Sequence, residues 1–298
     1  MKATRDGFGE QLVLSGEDND KIVALSADLG KATKIDKFRS AYPERFFEMG
    51  IAENNMIGVA SGLSEHGYKV FLASFASFLT GKYDTIRCSI SYSNAPCIIV
   101  GTHGGLAIGR DGVTQMGLED VSLMRSLPGM TVLNPSSYNQ ARSIVKDLKN
   151  PHYLRLGRQP VSEPYEENVV FELGKGVVHK VGSMGVVFST GCVLQDVLEA
   201  TKDIDITVID MPTIKPLDVE IIKKYSIGNV FTVEDHSIIG GLGSAVAEVI
   251  AEKGLEAKLN RIGVDDQFPE SGLPSDLYSK YGLSAEKINE RIVNVLDK

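Results

Sequence analysis

The 298-residue sequence predicts an α/β protein with two domains, each a three-layer arrangement in which helices cover both faces of a sheet. Two observations lead to this fold class. Short runs of apolar and β-branched residues alternate with helical patterns along the whole chain. Runs such as residues 98–100 are continuously apolar, as expected for parallel strands that are buried on both faces. The length allows two separate cores.

In the first half, five segments are predicted to be strands and four to be helices. The predicted strands are 21–29, 69–73, 97–102, 131–133 and 153–156. The predicted helices are centred on 11–15, 52–64, 79–91 and 118–126. Polar segments lie at the ends of four strands, namely 26–28, 74–78, 103–105 and 157–158. Because ligands gather beyond the carboxyl ends of parallel strands, we expect one site at this edge.

Residues 159–172 interrupt the alternation with two prolines and four acidic residues. We therefore predict a first domain over 1–160, a linker over 161–175 and a second domain over 176–298. The second half resumes the alternation. Its predicted strands are 185–190, 206–211, 230–234 and 258–264, and its predicted helices are 193–202, 218–225, 244–253 and 285–296, the last capped by Ser284.

Composition and charge exclude several classes of partner. A formal net charge of −8 argues against nucleic acid or an anionic membrane as the main partner, although a few local cations would suffice for a phosphate-bearing small substrate. No apolar run approaches the ~20 residues that span a bilayer. Residues 1–6 lack the apolar core of a signal peptide, which predicts a cytoplasmic protein. Cys88, Cys97 and Cys192 lack metal-ligand spacing and are predicted to be buried free thiols.

Glu53 directly precedes a run of small and apolar residues at helical spacing. Its carboxylate is therefore predicted to lie in the first helical turn, on or near the inward face. Two interpretations stay open for Glu53. It is either a partner of the helix dipole or a buried acid that shares a proton with a bound heterocycle.

Three further segments have both a structural and a functional interpretation. The glycine turn 240–243 follows a strand and opens a helix, like a phosphate-binding turn, but it lacks the full G-x-G-x-x-G pattern, so close helix–sheet packing is favoured. Phe75 and Phe78 are either core residues or a stacking platform for a planar ring. The glycine-rich loop 103–115 is either surface or a ligand-binding loop. Its metal-ligand count is too low for zinc.

Taken together, these motifs resemble the thiamine-diphosphate enzymes, and transketolases in particular, over nearly the whole chain. The segments that carry the resemblance are ATR (3–5), GIAE (50–53), SFASF (74–78), YDTIR (83–87), TH (102–103), DGVTQM (111–116), LED (118–120), RQP (158–160), TIKPL (213–217) and VEDH (233–236). The resemblance implies a pyrimidine-binding domain followed by a transketolase C-terminal-like domain.

For the cofactor, thiamine diphosphate, the resemblance implies four binding residues. Glu53 would hydrogen-bond N1′ of the aminopyrimidine and act as a catalytic residue. Phe75 and Phe78 would pack on or beside the ring. Gln115 would approach both the cofactor and the substrate.

For the substrate, the resemblance implies a sugar-phosphate site. Arg5 and Arg158 would grip the phosphate, a role that suits the guanidinium fork. His103, the second catalytic residue, would contact a substrate hydroxyl or phosphate. Asp111 would bind the C2 hydroxyl.

The sequence departs from the family pattern at three positions. Ala32 stands where many transketolases have a serine that assists phosphate binding. Arg110 replaces a residue that is usually acidic, and Gln115 stands where many microbial members have histidine. These departures leave the choice of sugar open.

The sequence contains no Gly-Asp-Gly motif, through which transketolases hold the diphosphate and its metal. The resemblance therefore implies the C-terminal subunit of a split transketolase of pentose phosphate metabolism. A separate N-terminal subunit would hold the diphosphate and Mg²⁺ or another divalent metal, and self-association would give a heterotetramer.

Two relatives within the same cofactor class are alternatives, as is a protein of a different class. The first relative is deoxyxylulose-phosphate synthase, which shares the GIAE segment. The second is the β chain of 2-oxoacid dehydrogenases, which the loop 103–115 fits poorly. The third alternative is a non-catalytic binding paralogue that keeps the fold.

Overall fold

The computed structural model describes residues 1–148 and 151–297, without the side chain of residue 147. The strands in chain order are β1 (Ile22–Ser26), β2 (Phe46–Glu48), β3 (Lys69–Phe75), β4 (Cys97–Thr102), β5 (Thr131–Leu133), β6 (His152–Leu156), β7 (Val177–Lys180), β8 (Val186–Thr190), β9 (Thr207–Asp210), β10 (Thr213–Lys215), β11 (Gly228–Ser237) and β12 (Ala257–Val264). The helices are α1 (Thr4–Asp18), α2 (Gly30–Thr33), α3 (Asp36–Ala41), α4 (Glu53–Glu65), α5 (Ala76–Thr80), α6 (Tyr83–Ile86), α7 (Asp120–Ser126), α8 (Tyr138–Asp147), α9 (Leu194–Ala200), α10 (Val219–Tyr225), α11 (Leu242–Lys253), α12 (Pro274–Lys280) and α13 (Ala285–Leu296).

The first sheet has seven strands in the order β10-β5-β6-β4-β3-β1-β2. Neighbouring strands are parallel except β10, which pairs antiparallel with β5. The five strands predicted for the first half are all present, whereas β2 and β10 were not predicted. Since β10 comes from the second half of the chain, the two halves share this sheet at its edge.

Helices cover both faces of the first sheet, as predicted for a three-layer domain. Consecutive residues of β1 point to opposite faces of the sheet and therefore pack in different cores. Val23 packs in the cluster that contains Ile57 of α4, and Ala24 packs in the cluster that contains Phe8 of α1. Because both faces are buried, the strands read as uninterrupted apolar runs in the sequence.

The second sheet has five strands in the order β12-β11-β8-β9-β7 and also carries an antiparallel edge strand, β7. All four strands predicted for the second half are present. Each sheet is therefore parallel except at one edge, where an antiparallel strand is added. Residues 162–176, between the two domains, contain no helix or strand.

Several predicted boundaries also differ from the structure. β1 ends at Ser26, because Asp28 adopts a positive φ of 59°. The helix predicted over 79–91 is divided between α5, α6 and a π-helical stretch, Arg87–Tyr92. α8 was not predicted. The Ser284 cap is confirmed, since its hydroxyl accepts a hydrogen bond from the backbone N–H of Lys287.

The three cysteines differ in their exposure to solvent. Cys97 is buried as predicted, whereas Cys192 is only partly buried and Cys88, in the π-helical stretch, is exposed. All three cysteines are free thiols. Within the described ranges, no helix combines the length and apolar character needed to cross a bilayer.

Candidate active site

The four polar segments at strand ends meet at one edge of the first sheet, as predicted. They follow β1, β3, β4 and β6, which are consecutive neighbours in the sheet. In the strand register, Phe75 lies opposite Thr102, and Thr102 lies opposite Leu156. Parallel strands place their carboxyl ends side by side, so segments that are far apart in sequence converge here.

Glu53 is the first residue of α4 and is only 8% exposed. The hydroxyl of Ser74, at the end of β3, donates a hydrogen bond to Oε1 of Glu53 at 3.2 Å. Among the described residues, none donates to Oε2. The carboxylate therefore keeps one oxygen fixed by the sheet edge and one oxygen available to a ligand, while its position in the first turn also suits the helix dipole.

The rings of Phe78 and His103 both pack against that of Phe75, the first stacked and the second tilted by 33°. The Phe75 and Phe78 centroids are 5.4 Å apart with an interplanar angle of 23°, and the His103 ring lies 4.0 Å from that of Phe75. Phe75 is buried and contributes to the core shared with the second domain. Phe78 is only partly buried and offers the more accessible ring face. Phe75 is therefore a core residue, and Phe78 stays the candidate for stacking on a planar ring.

His103 follows β4 and has a φ of 59°, an uncommon conformation for a side-chain-bearing residue. Its Nε2 lies 3.0 Å from Nη1 of Arg5 and its Nδ1 lies 2.8 Å from Oγ1 of Thr102. Because an arginine N–H can only donate, Nε2 must accept, so the imidazole proton is on Nδ1 and is donated to Thr102. Burial and then the charges of Arg5 and Arg158 lower the pKa of His103 to about 3. The ring is therefore neutral at pH 7.

Two arginines bring positive charge to this edge. Arg5 Nη1 also donates to the carbonyl oxygen of Ala32 at 2.8 Å, whereas its buried Nε has no hydrogen-bond partner among the described residues. Arg158 Nη1 donates to Oδ2 of Asp111 at 3.1 Å, and both side chains are about half exposed. The structure thus brings Arg5, His103, Arg158 and Asp111 together and leaves donor capacity for an anion.

Gln115 and Arg110 are the two remaining positions of the loop 103–115 that the sequence singled out. Gln115 is half-buried and ends the short 3₁₀ turn Val113–Gln115. Its carbonyl oxygen accepts a hydrogen bond from Ser77 at 3.1 Å, which ties the loop to the segment that carries Phe78. Arg110, the departure from the family pattern, is exposed to solvent.

The glycine turn 240–243 is filled by the protein itself. The Glu234 carboxylate, within β11, accepts hydrogen bonds from the backbone N–H groups of Leu242 and Gly243 at 2.7 and 2.8 Å. A Cβ added at Gly241 would lie 2.0 Å from Oε2 of Glu234. The favoured interpretation, a tight turn for close packing, is confirmed, and the helix N-terminus already has its anion.

Sequence reasoning missed a buried polar cluster behind this edge. Arg155 of β6 forms an ion pair with Asp120 of α7 at 2.9 Å, and both side chains are at most 5% exposed. The hydroxyl of Tyr153 donates to the same carboxylate at 2.7 Å, and Arg155 Nη2 donates to the carbonyl oxygen of Asp235 in the second domain at 2.8 Å. Only the alternation of polar and apolar residues in β6 hints at this cluster in the sequence.

Comparison with known proteins covers the whole chain. A family profile described as the transketolase pyrimidine-binding domain matches residues 1–163, and one described as the transketolase C-terminal domain matches residues 174–288. A putative transketolase C-terminal section from Methanocaldococcus jannaschii is 41% identical over 308 aligned positions, covering 100% of this chain and 97% of the relative.

Two further relatives extend the comparison. A 6-deoxy-6-sulfo-D-fructose transketolase subunit from Clostridium sp. (strain MSTE9) is 37% identical, covering 95% of this chain and 91% of its own length. A solved structure described as a split-gene transketolase, in an inactive β4 tetramer, superimposes with a TM-score of 0.92 at 42% identity, covering 100% of this chain and 99% of that one.

Proposed function

The chain belongs to the transketolase family, and from that premise we propose that it is the C-terminal subunit of a two-chain, thiamine-diphosphate-dependent transketolase. The reaction is the transfer of a two-carbon ketol unit from a ketose phosphate to an aldose phosphate. The observation that carries the proposal is the buried Glu53 carboxylate, held through Oε1 by Ser74 with Oε2 left accessible. A buried acid with an open oxygen beside an aromatic face suits a nitrogen heterocycle.

Glu53 and Phe78 provide the pyrimidine side of the cofactor site. Glu53 shares its proton with a ring nitrogen through Oε2, while Ser74 fixes the carboxyl plane. Phe78 offers its ring face, backed by Phe75 at 5.4 Å. Gln115, whose carbonyl oxygen accepts a hydrogen bond from Ser77 in the segment of Phe78, would contact both cofactor and substrate. Bound thiamine diphosphate supplies the carbon–carbon chemistry, and the protein supplies orientation and proton placement.

The arginines and the loop 103–115 provide the substrate side. Arg5 and Arg158 bind the phosphate of the sugar, for which their planar donors are suited. Arg158 then exchanges its half-exposed contact with Asp111 for the phosphate. Asp111 becomes free to accept a hydrogen bond from the C2 hydroxyl. His103, neutral and fixed by Thr102, adjoins both groups.

A second chain is proposed to hold the diphosphate and a divalent metal such as Mg²⁺. The surface beside Glu53 supports docking of such a chain. Ile51 is 83% exposed although it is only two residues from the buried carboxylate. Gly58 and Gly62 are exposed on α4 one turn apart, and a Cβ added at either would have nothing within 4 Å. Glycine within a helix costs about 1 kcal/mol relative to alanine, so an outward pair favours close approach of another backbone.

The solved β4 tetramer of the split-gene relative supports self-association, and two copies of each chain would give a heterotetramer. The proposed setting is the cytoplasm, in pentose phosphate metabolism. Ketose phosphates are the proposed donors.

Reconstitution tests this proposal directly. The purified chain is mixed with a candidate diphosphate-binding chain, Mg²⁺ and thiamine diphosphate, and ketol transfer from a ketose phosphate is measured. Activity is expected only with all components. Glu53→Gln is expected to remove most of it, whereas Glu65→Gln, an exposed change at the other end of α4, leaves it intact.

A separate variant tests the docking surface. Gly58→Trp fills the open face of α4 and is expected to abolish both co-elution with the partner and activity without unfolding the chain. Lys253→Trp, at the exposed end of α11, is the matched control.

Full activity of Glu53→Gln, or transfer from pyruvate rather than from ketose phosphates, would overturn the assignment.

A further inference from the structure

A cavity of about 280 Å³ lies between the two domains, lined by residues of both. Its walls combine apolar and polar groups from both domains, including Asn134, Val161, Asp196, Asp235, Pro274 and Tyr278. None of the side chains assigned to cofactor or sugar phosphate above lines it. Its volume lies near the lower end of small-molecule sites, which enclose roughly 300–1,000 Å³.

Asn134 is the first sign that this cavity holds a ligand. It follows β5 and is 4% exposed, and its backbone N–H and C=O are paired with Pro212 and Gly191. Within residues 1–148 and 151–297, no hydrogen bond involves its side-chain amide. A buried amide has two donors and one acceptor to satisfy, and such groups are rarely left unpaired. A ligand in the cavity would satisfy it.

The charge of the cavity indicates which ligand chemistry it favours. Arg155 also lines the cavity, and its single positive charge is shared between Asp120, at 2.9 Å, and Asp235. Asp235 accepts hydrogen bonds from the backbone N–H of Leu106 at 2.8 Å and from the hydroxyl of Tyr278 at 2.7 Å, but these donors are neutral. Asp196 adds a second carboxylate, and the cavity is left with net negative charge.

The shifted pKa values of groups in the cavity wall agree with this negative charge. Burial, and then the charge of Asp235, raise the pKa of Asp196 to about 6. A bound cation would relieve that repulsion. Burial raises the pKa of the Cys192 thiol to about 11, so Cys192 contributes a neutral, unreactive thiol to the cavity wall. In the described part of the chain, no group of three or more His, Cys, Asp or Glu side chains could hold a metal ion, which favours an organic cation.

We propose that the interdomain cavity binds a small aliphatic amine whose ammonium group faces Asp196 and Asp235. Its hydrocarbon part lies against Val161 and Pro274, and a hydroxyl or amide at its far end pairs with Asn134. The occupant would also rest on Gly104 and Ala107, in the loop that directly follows His103. The site is independent of the proposed transketolase activity, because neither the partner chain nor a sugar is needed to fill it.

Binding of matched small molecules to the full chain tests the proposal. Butylamine, 1-butanol and butyrate share nearly the same shape but differ in charge. At pH 8 we expect saturable binding of butylamine by calorimetry and a saturable rise in melting temperature, with neither effect for 1-butanol or butyrate. 4-Amino-1-butanol is expected to bind more tightly than butylamine, since its hydroxyl reaches Asn134.

Variants distinguish binding in the cavity from nonspecific binding elsewhere on the chain. Asp196→Asn is expected to weaken butylamine binding about tenfold or more, equivalent to about 1.4 kcal/mol. Asp203→Asn, an exposed carboxylate of the same domain, is the matched control and should bind like the wild type. Asn134→Leu should remove the advantage of 4-amino-1-butanol while butylamine still binds. Equal responses to all three charge types, undiminished binding to Asp196→Asn, or no saturable binding of any probe would overturn the proposal.

Discussion

The ion pair between Arg155 and Asp120 gives a stability prediction that the structure specifies closely. Asp120→Asn keeps the size of the side chain but removes its charge. The guanidinium, 5% exposed, would then lose its ion-pair partner, and the Tyr153 hydroxyl would lose its anionic acceptor. Breaking a buried pair by removing one partner costs about 3–5 kcal/mol, and we expect that loss in the free energy of unfolding. Such a loss is a large part of the roughly 5–15 kcal/mol that stabilises a domain.

The assay is urea unfolding followed by far-UV circular dichroism, since the chain has no tryptophan for fluorescence. The control is Glu290→Gln. Glu290 pairs with Lys287 at 2.8 Å on the surface, with side chains 49% and 39% exposed, so its loss should change stability by no more than about 0.5 kcal/mol. A loss below about 1 kcal/mol for Asp120→Asn, or equal losses for both variants, would refute the reasoning from burial.

Three further predictions follow from other contacts. The folded-state pKa of Asp196 is raised to about 6, so ionising this carboxyl destabilises the folded chain only as the pH rises above the pKa of an ordinary aspartate. Asp196→Asn should therefore stabilise the chain by up to about 3 kcal/mol at pH 8 and not at pH 4. Equal shifts of the urea midpoint at both pH values would contradict this. Ser74→Ala removes the 3.2 Å hydrogen bond to Glu53 and should lower the reconstituted rate roughly fivefold, about 1 kcal/mol, with little change in the melting temperature; an unchanged rate would show that Ser74 does not position the acid. Gly241→Ala places a Cβ 2.0 Å from Glu234 and should cost about 1–3 kcal/mol in urea unfolding, whereas wild-type stability would mean that the turn adjusts freely.

The central strands were predicted well, because their burial requires runs of apolar residues that are visible in the local sequence. β4 and β5 match their predicted bounds, since a strand that is buried on both faces must be apolar at every position. The edge of the sheet that gathers the polar segments was also predictable, because parallel strands place all their carboxyl ends together. The residue-level roles of Glu53, Phe78 and their neighbours came from the family resemblance and stay predictions.

What escaped prediction depends on contacts that are distant in sequence. β10 is three residues long and joins the sheet of the other domain by pairing with β5, about 80 positions earlier. α8 is a polar helix whose inner residues pack on α1, and its only strong local signal is Ser137, which caps it. The lone amide of Asn134 and the carboxylate of Asp196 meet only after both domains have folded.

The segment after β6 explains how one strand end can serve two sites. Arg158 turns towards the candidate active site, where its Nη1 donates to Asp111 and to the carbonyl oxygen of Ile108. Its neighbour Gln159 lines the interdomain cavity and donates to the carbonyl oxygen of Ala107 at 3.2 Å. Arg158 and Gln159 lie in a bend that follows β6, and the first side chain reaches the candidate active site while the second reaches the cavity. Both residues hold the loop that begins at His103, and Asp235 accepts a hydrogen bond from the N–H of Leu106 in the same loop, so this loop links the second domain to the candidate active site.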